Sequence, residues 1–195
     1  MDNSTLIERA RRGDLNAYDD LVRQYQEVAF RAAYLLTRDA ADAQDVTQDA
    51  FIRAYDALAR FDARRPFRPW LLRIVSNTAL NRIKAAKRRN AMVDRVQMSE
   101  STAQDASGIE ANVLRRERSR RLWQAIGQLK PDDQRLLTLR YFLELPEAEL
   151  AQVFGVAHGT IKSRLHRALR KLREQFKIHD PDLLEQEFLS EENGE

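Results

Sequence analysis

The sequence predicts an all-α protein built of two small helical domains joined by a flexible linker. Only 6 glycines and 5 prolines occur among its 195 residues, a composition in which helices should dominate. Apolar residues recur at helical spacing on both sides of residues 90–109 but not within that segment. We therefore place the domains at residues 1–89 and 110–177, with the linker at 90–109 and an acidic tail at 178–195.

Capping residues and helix breaks predict four helices in the first domain. Ser4 caps the first helix, Gly13 ends it, and Asp14 caps the second. Pro69 suits the start of the fourth helix, which follows an irregular loop over residues 61–70. The four helices are expected at residues 5–12, 15–36, 41–60 and 70–88. The second helix has a predicted core face of Tyr18, Leu21, Val22, Tyr25, Ala29, Ala32 and Leu36.

The second domain is predicted to end in a helix-turn-helix. A short helix over residues 146–154 ends at Gly155, and a basic helix follows it. The basic helix has an apolar seam of Ile161, Leu165, Ala168 and Leu172. The core ahead of this motif is predicted to include Leu136, Leu137, Tyr141 and Phe142. A DNA major groove admits one such helix, so the pattern favours DNA binding over its alternative, a helical hairpin with a solvated charged face.

Charge is distributed unevenly along the chain. The net charge is +3, but residues 178–195 contain seven acidic residues and no Lys or Arg. Residues 1–177 therefore carry 33 basic and 23 acidic side chains. That balance suits a polyanionic partner, because each neutralised phosphate releases counterions.

Cysteine usage and hydropathy indicate where the protein acts. The chain contains no cysteine, which removes disulfides and thiolate metal sites and fits a reducing compartment. We find neither a signal peptide nor a run of about 18 apolar residues. We therefore expect a cytoplasmic protein without membrane insertion.

The fourth helix and the loop before it carry residue types that bind single-stranded or opened DNA. A polar stripe on the helix consists of Arg73, Asn77, Asn81, Lys84 and Arg88. The loop adds three rings and three cations, namely Phe61, Phe67, Trp70, Arg64, Arg65 and Arg68. Bases can stack on such rings while cations hold the backbone. The alternative is that the rings cap the core of the bundle, and it weighs at least equally for Phe61.

Three aspartates share one face of the third helix, at Asp42, Asp45 and Asp49. They fit three interpretations: a metal-dependent phosphotransfer or nuclease site, a solvated acidic face, or a docking patch for a basic partner. No histidine lies near them in the sequence, and no second acidic helix supplies further metal ligands. We favour the docking patch.

Four segments, in this order, resemble the extracytoplasmic-function (ECF) group of the sigma-70 family of bacterial sigma factors. They are GDLNAYDDLVRQY, DAQDVTQDAFIRAY, FRPWLLRIVSNTALN and GTIKSRLHRALRKL, and the resemblance spans about residues 5–175. It implies a non-catalytic subunit, without a cofactor, that binds core RNA polymerase and directs it to promoter DNA. It also suggests an anti-sigma factor as a further partner.

The resemblance implies a role for each surface. The segment 42–55 resembles the part that docks on polymerase, with contacts from Asp42, Asp45, Gln48, Asp49 and Phe51. The loop and fourth helix resemble the part that melts the promoter and reads the −10 element, through Arg64, Arg65, Phe67, Trp70, Arg73, Asn77, Asn81 and Lys84. The last helix resembles the part that reads the −35 element as duplex, through Thr160, Lys162, Ser163, Arg164, His166 and Arg167.

Two other function classes stay open on the sequence. A stand-alone helix-turn-helix regulator would bind duplex DNA without polymerase, but it would need neither a docking patch nor an aromatic loop within residues 42–81. A metal-dependent nucleic-acid enzyme would use the three aspartates of the third helix. Such an enzyme would lose its activity with a chelator.

Overall fold

The structure is a computed structural model that describes residues 3–93 and 111–179, with side chains at residues 3–89 and 119–176. Within these ranges every regular element is helical, which confirms the predicted all-α fold. The elements found there are α1 (Asn3–Arg11), α2 (Leu15–Thr37), α3 (Ala40–Leu58), α4 (Phe67–Val93), α5 (Ala111–Gly127), α6 (Pro131–Leu137), a π-helical turn (Thr138–Phe142), α7 (Glu147–Phe154) and α8 (His158–His179).

The ends of α4 differ from the prediction. The helix begins at Phe67 rather than Trp70, so Pro69 lies in its first turn, where a missing N–H costs no helical hydrogen bond. It continues to Val93, which makes residues 90–93 helical instead of linker. The rest of the predicted linker, 94–109, and the tail from residue 180 lie outside the described residues. Among the helices of residues 3–93 and 111–179, none has the length and apolar character needed to cross a membrane.

The start of α2 is fixed by a side-chain cap. The Asp14 carboxylate accepts hydrogen bonds from the backbone N–H groups of Asn16 and Ala17, at 3.0 and 3.1 Å. Gly13 precedes it with a φ of +90°, a conformation that glycine adopts without a steric penalty. Both predictions are therefore confirmed. The predicted Ser4 cap is wrong, because α1 begins at Asn3, two residues before the predicted start, and includes Ser4.

Alanines dominate the packing of α2 and α3. These two helices and α4 pack on one another, and seven alanines of α2 and α3 have no exposed surface. They are Ala17, Ala29, Ala32, Ala33, Ala43, Ala50 and Ala54. A methyl group is the smallest side chain that a helix can present, so the helices approach closely and leave little space for a larger one.

The π-helical turn changes which residues face the core after α6. The Leu143 N–H donates to the Thr138 carbonyl at 3.2 Å, a step of five residues instead of four. Leu136 and Leu137 lie before this step and are buried as predicted. Tyr141 lies within it and is 51% exposed, so its assignment to the core is wrong. That assignment assumed an unbroken α-helical period.

The predicted helix-turn-helix is present as α7 and α8. Gly155 ends α7 in the left-handed conformation, with a φ of +65°. Pro146 occupies the N-cap of α7 without a side-chain hydrogen bond. The apolar seam of α8 is buried as predicted, at Ile161, Leu165, Ala168 and Leu172.

Contacts divide the described residues into two compact units. One contains residues 3–93 and 138–161, and the other contains residues 111–137 and 162–179. The π-helical turn and α7 therefore pack with α1–α4, although the sequence places them in the second domain. The domain boundaries predicted from the sequence rest on where helical periodicity fails, whereas the compact units rest on contacts between residues. The predicted boundaries therefore stay a prediction.

We expect Ala29→Leu to lower the free energy of unfolding of the full chain by about 1–3 kcal/mol, because the added carbons overpack a filled interface. Ala41→Leu is the matched control, since Ala41 is exposed on α3. It should change stability by no more than about 0.5 kcal/mol. Urea denaturation followed by helical circular dichroism measures both. Equal effects of the two variants would contradict the close packing of α2.

The Asp14 cap predicts a specific pH dependence. The hydrogen bond from the Ala17 N–H, together with Arg9, holds the pKa of the Asp14 carboxyl below its ordinary value. The ionised carboxylate therefore stabilises the fold above pH 3.8, and this contribution is lost as the pH falls through the lowered pKa. Asp14→Asn removes the titration but keeps an acceptor.

We expect thermal unfolding to show this difference. At pH 7 the melting temperature of Asp14→Asn should lie roughly 2–4 °C below that of the wild type. The gap should close on acidification below pH 3.8. A gap that stays constant down to pH 2.5 would contradict the role of the carboxylate.

Candidate functional site

The acidic face of α3 is held by an arginine of α4. The Arg82 Nε donates to Asp42 Oδ1, and its Nη2 donates to Asp45 Oδ2, both at 2.8 Å. The hydrogen bond to Asp42 raises the pKa of Arg82, so the guanidinium stays charged. Arg82 thus fixes two of the predicted polymerase contacts in one orientation. No sequence pattern links Arg82 to acids about 40 residues away, so sequence reasoning missed it.

The third aspartate of the face is arranged differently. Asp49 and Gln48 are exposed on α3, about one turn from Asp45. Within residues 3–93 and 111–179, no three or more His, Cys, Asp or Glu side chains are grouped so that they could hold a metal ion. The arrangement found is a pair of carboxylates bridged by one guanidinium, with the exposed Asp49 carboxylate beside them. This arrangement gives no support to the metal-dependent alternative.

An apolar groove of about 860 Å³ lies between α2 and α3, next to the acidic face. Its large apolar lining residues include Leu15, Val22, Phe30, Phe51, Ile52 and Tyr55. Leu15 and Ile52 are the most exposed of them, at 66% and 56%. Phe51 is buried and forms part of the groove floor, so this predicted contact offers only an edge to a partner.

The sequence did not predict the groove, because it assigned several of these positions to the core. Tyr18 and Val22 are half-buried instead of buried. Tyr18 packs edge-on against Tyr55, with ring centroids 4.9 Å apart, and its hydroxyl donates to the Phe51 carbonyl. Burial raises the pKa of Tyr18, so the hydroxyl stays protonated. One signal in the sequence could have revealed the groove. The apolar seam of α2 is wider than the strip that one neighbouring helix can cover, so part of it must stay exposed.

The rings of the loop form a cluster with α4. Phe61 and Trp70 centroids lie 4.6 Å apart, Phe67 and Trp70 centroids 5.3 Å apart, and Phe67 also contacts Tyr25. Phe61 and Phe67 are buried, whereas Trp70 is half-exposed. The predicted contact Phe67 therefore supports the cluster from inside. Of these three loop rings, Trp70 alone offers surface to a base in this conformation.

Two cations of the loop, Arg64 and Arg65, are exposed and pair with Asp62, whereas Arg68 is half-buried. Arg64 forms a two-point pair with the Asp62 carboxylate, at 2.9 and 3.1 Å, and Arg65 lies 3.8 Å from it. The hydrogen bonds from Arg64 lower the pKa of Asp62 to about 2. Asp62 therefore orders a basic loop at neutral pH and removes part of its positive charge.

The polar stripe of α4 is exposed as predicted. Arg73, Asn77, Asn81, Lys84 and Arg88 all lie on the solvent side of the helix. Leu71, Val75 and Thr78 are buried on the opposite side. The arrangement offers cations for phosphates and two amides for base edges along about four turns of helix.

The exposed face of α8 contains most of its predicted DNA contacts. Lys162, Ser163, His166 and Arg167 are exposed, whereas Thr160 and Arg164 are half-buried beside the seam. The helix is tied to α6 by Lys171, whose Nζ lies 2.6 Å from Asp133 Oδ2. The seam and this ion pair lie away from the exposed face, on which the Arg167 Nε donates to the Ser163 carbonyl at 3.2 Å.

Comparison with protein families identifies both halves of the chain. Residues 21–89 match the family model of Sigma-70 region 2, and residues 119–172 match that of Sigma-70 region 4. The first match contains α3, the aromatic loop and the polar stripe of α4. The second contains the helix-turn-helix.

Individual relatives agree with these matches. The RNA polymerase sigma-H factor of Pseudomonas aeruginosa is 38% identical over 84% of this chain and 88% of its own length. The ECF RNA polymerase sigma-E factor of Escherichia coli K12 is 34% identical over 85% of this chain and 90% of its own length. The ECF RNA polymerase sigma factor SigW of Bacillus subtilis is 30% identical over 88% of this chain and 95% of its own length.

Solved structures share the fold. CnrH, in complex with the cytosolic domain of CnrY, has a TM-score of 0.62 and 25% identity over 91% of this chain and 99% of its own. RpoE of Bartonella quintana, in complex with the anti-sigma factor NepR, has a TM-score of 0.58. It is 23% identical and covers 82% of this chain and 98% of its own. The chain therefore belongs to the ECF group of the sigma-70 family, and it is a sigma factor with DNA-binding regions 2 and 4 that directs transcription initiation with core RNA polymerase.

Proposed function

We propose that this sigma factor docks on core polymerase through α3, reads the −10 element as melted non-template strand along α4, and reads the −35 element as duplex through α8. The observation that carries the proposal is the exposed stripe of α4, which offers cations and amides beside a half-exposed indole. This combination suits a strand whose bases are unpaired. We further propose that it acts in the cytoplasm as a non-catalytic subunit.

The acidic face and the groove together form the proposed polymerase dock. Carboxylates on the surface increase the association rate with a basic partner and fix its register, but contribute little affinity when exposed. The groove supplies apolar surface whose removal from water on binding would favour the complex. Ile52 and Leu15 lie at its rim. A polymerase element that fits both would be a helix with one apolar and one basic face.

The proposed −10 surface runs from the loop along α4. Unstacking a base costs a few kcal/mol, so the protein must return that energy through stacking and edge contacts. Trp70 provides the ring surface, Arg64 and Arg65 provide phosphate contacts, and Asn77 and Asn81 provide donors and acceptors for base edges. Phe67 serves this surface indirectly, because it fixes the Trp70 ring from below.

The proposed −35 surface is the exposed face of α8. Lys162 and Arg167 are exposed cations of this face, and Ser163 and His166 lie between them in the sequence. Arginine pairs with both acceptors of a guanine, which makes Arg167 the candidate for base recognition. The half-buried positions of Thr160 and Arg164 suit contacts to phosphates at the edge of the groove.

The proposed regulatory partner is an anti-sigma protein. CnrH was solved in complex with the cytosolic domain of CnrY, and RpoE of Bartonella quintana in complex with the anti-sigma factor NepR, so similar proteins bind a polypeptide partner. An anti-sigma protein that covered the α2–α3 groove would exclude core polymerase from the same residues. Such a partner would cover exposed apolar side chains at the rim of the groove, including Leu15 and Ile52.

We expect Asp49→Asn and Ile52→Ala each to weaken binding to purified bacterial core polymerase, by several-fold and about tenfold respectively. The first effect should shrink at high salt, because it is electrostatic. Asp20→Asn is the matched control, since this exposed acid lies on the other side of α2. Fluorescence anisotropy of labelled protein measures the affinities. If both variants bind like the control while remaining folded, α3 is not the dock.

We expect Arg167→Ala to weaken binding of the holoenzyme to its −35 element by about 1–3 kcal/mol and to relax preference at one base position. Arg173→Ala removes a cation two turns later on α8 and serves as control. It should weaken binding to all sequences slightly and equally. Selection from a randomised −35 library measures both. A uniform loss for Arg167→Ala would assign it to a phosphate instead.

A further inference from the structure

The middle of α5 contains a concentration of positive charge. Residues 115–121 read RRERSRR, which is five arginines and one glutamate in seven positions. All seven positions lie within the single helix Ala111–Gly127 and occupy about two turns of it. None of these arginines belongs to the proposed polymerase dock, to the proposed −10 surface or to the proposed −35 surface.

Packing within the protein does not account for this segment. Successive residues of an α-helix are about 100° apart, so the five arginine positions are spread around the whole circumference of α5. The buried side chains of the helix come after the segment, at Ala125 and Ile126. Arg120 and Arg121 are both exposed. The described side chains of the arginine-rich segment therefore meet solvent, while the second half of the helix makes the apolar contacts.

The spacing of the arginines works against the helix itself. Arg116 and Arg120 are four positions apart, and like charges at this spacing destabilise a helix. Arg118 and Arg121 repeat the conflict at a spacing of three. Glu117 is the only acid in the segment, and its favourable spacing of four to Arg121 offsets part of the repulsion. A polyanion bound alongside the segment would offset the remainder.

A series of contacts connects α5 to the helix that carries the proposed −35 surface. Helices α5 and α6 and the part of α8 from Lys162 onwards belong to one compact unit. Gln134 of α6 donates to the carbonyl of Gly127 at the end of α5, at 2.8 Å. Lys171 of α8 pairs with Asp133 of α6 at 2.6 Å. A duplex bound to α8 would therefore have α5 at a constant position relative to it.

We propose that the arginine-rich segment of α5 binds the phosphate backbone of duplex DNA between the −35 and −10 elements. The inference rests on the proposed reading of duplex DNA by α8. Promoter DNA between the two elements must pass from α8 to α4, and α5 begins where residues 94–110, which connect it to α4, end. Guanidinium groups bind phosphate oxygens at two points, and such contacts fix position without reading sequence.

The salt dependence of promoter binding tests this surface. The probe is the duplex pool that wild-type holoenzyme recovers from the randomised −35 library, and the variant is Arg120→Gln with Arg121→Gln in the full chain. We expect the slope of log affinity against log salt to become shallower by about 1–2, because each lost phosphate contact contributes roughly 0.9. Base preference should stay unchanged, since phosphate contacts carry no sequence information.

A matched control separates local contacts from general attraction. Arg12→Gln with Arg23→Gln makes the same change in net charge at two exposed positions of the first domain. Glutamine and arginine have similar helix propensities, so neither variant should lose helical circular dichroism. The Arg120→Gln, Arg121→Gln variant should lose about threefold to tenfold more affinity than this control at low salt.

Three results would overturn the inference, each for a separate reason. A slope and an affinity equal to those of the control would remove α5 from the DNA surface and leave the proposed −35 surface intact. A wild-type selection that enriches no −35 sequence would overturn the proposed −35 surface and this inference with it. A labelled single-stranded RNA of random sequence is the second probe. Weaker binding of the variant to this RNA, with unchanged binding to the duplex pool, would assign the arginines to RNA instead.

Discussion

The close approach of α2, α3 and α4 is the constraint on which the functional surfaces depend. Fully buried alanines, such as Ala29 and Ala50, set the spacing of the helices. A rigid spacing fixes the direction of every side chain on the outer faces, because a helix cannot rotate without burying or exposing whole rows of residues. The acidic face of α3 and the polar stripe of α4 are therefore presented in a constant relation. The proposed polymerase dock and the proposed −10 surface therefore belong to one rigid group of helices.

Arginines make the second set of organising contacts. Arg82 joins α4 to the acids of α3, Arg64 orders the loop through Asp62, and Arg68 joins α4 to α7. Each pair is partly exposed, so each contributes modest stability and can exchange its partner for another charged group. This property suits a protein that binds DNA phosphates and a polymerase in turn. A buried, fully packed interface would give more stability but would resist such exchange.

Local signals in the sequence predicted the features that depend on near neighbours. The Asp14 cap, the α4 stripe and the α8 seam follow from spacing within one helix, and all three are present. Features that depend on distant neighbours were missed. The hydrogen bonds from Arg82 to Asp42 and Asp45 join residues about 40 positions apart in the sequence. The groove arises because no described helix covers the outer side of α2 and α3. The exposure of Tyr141 depends on one π-helical step, for which periodicity gives no warning.

Run-off transcription with purified bacterial core polymerase tests the central claim most directly. The template set would be the upstream regions of the source genome, transcribed with and without the full chain. The account predicts discrete transcripts that depend on the protein, share −35 and −10 sequences, and diminish with Asp49→Asn but not with Asp20→Asn. Core that is active with another sigma factor but gives no transcript with this protein, while the protein alone binds duplex DNA tightly, would contradict it.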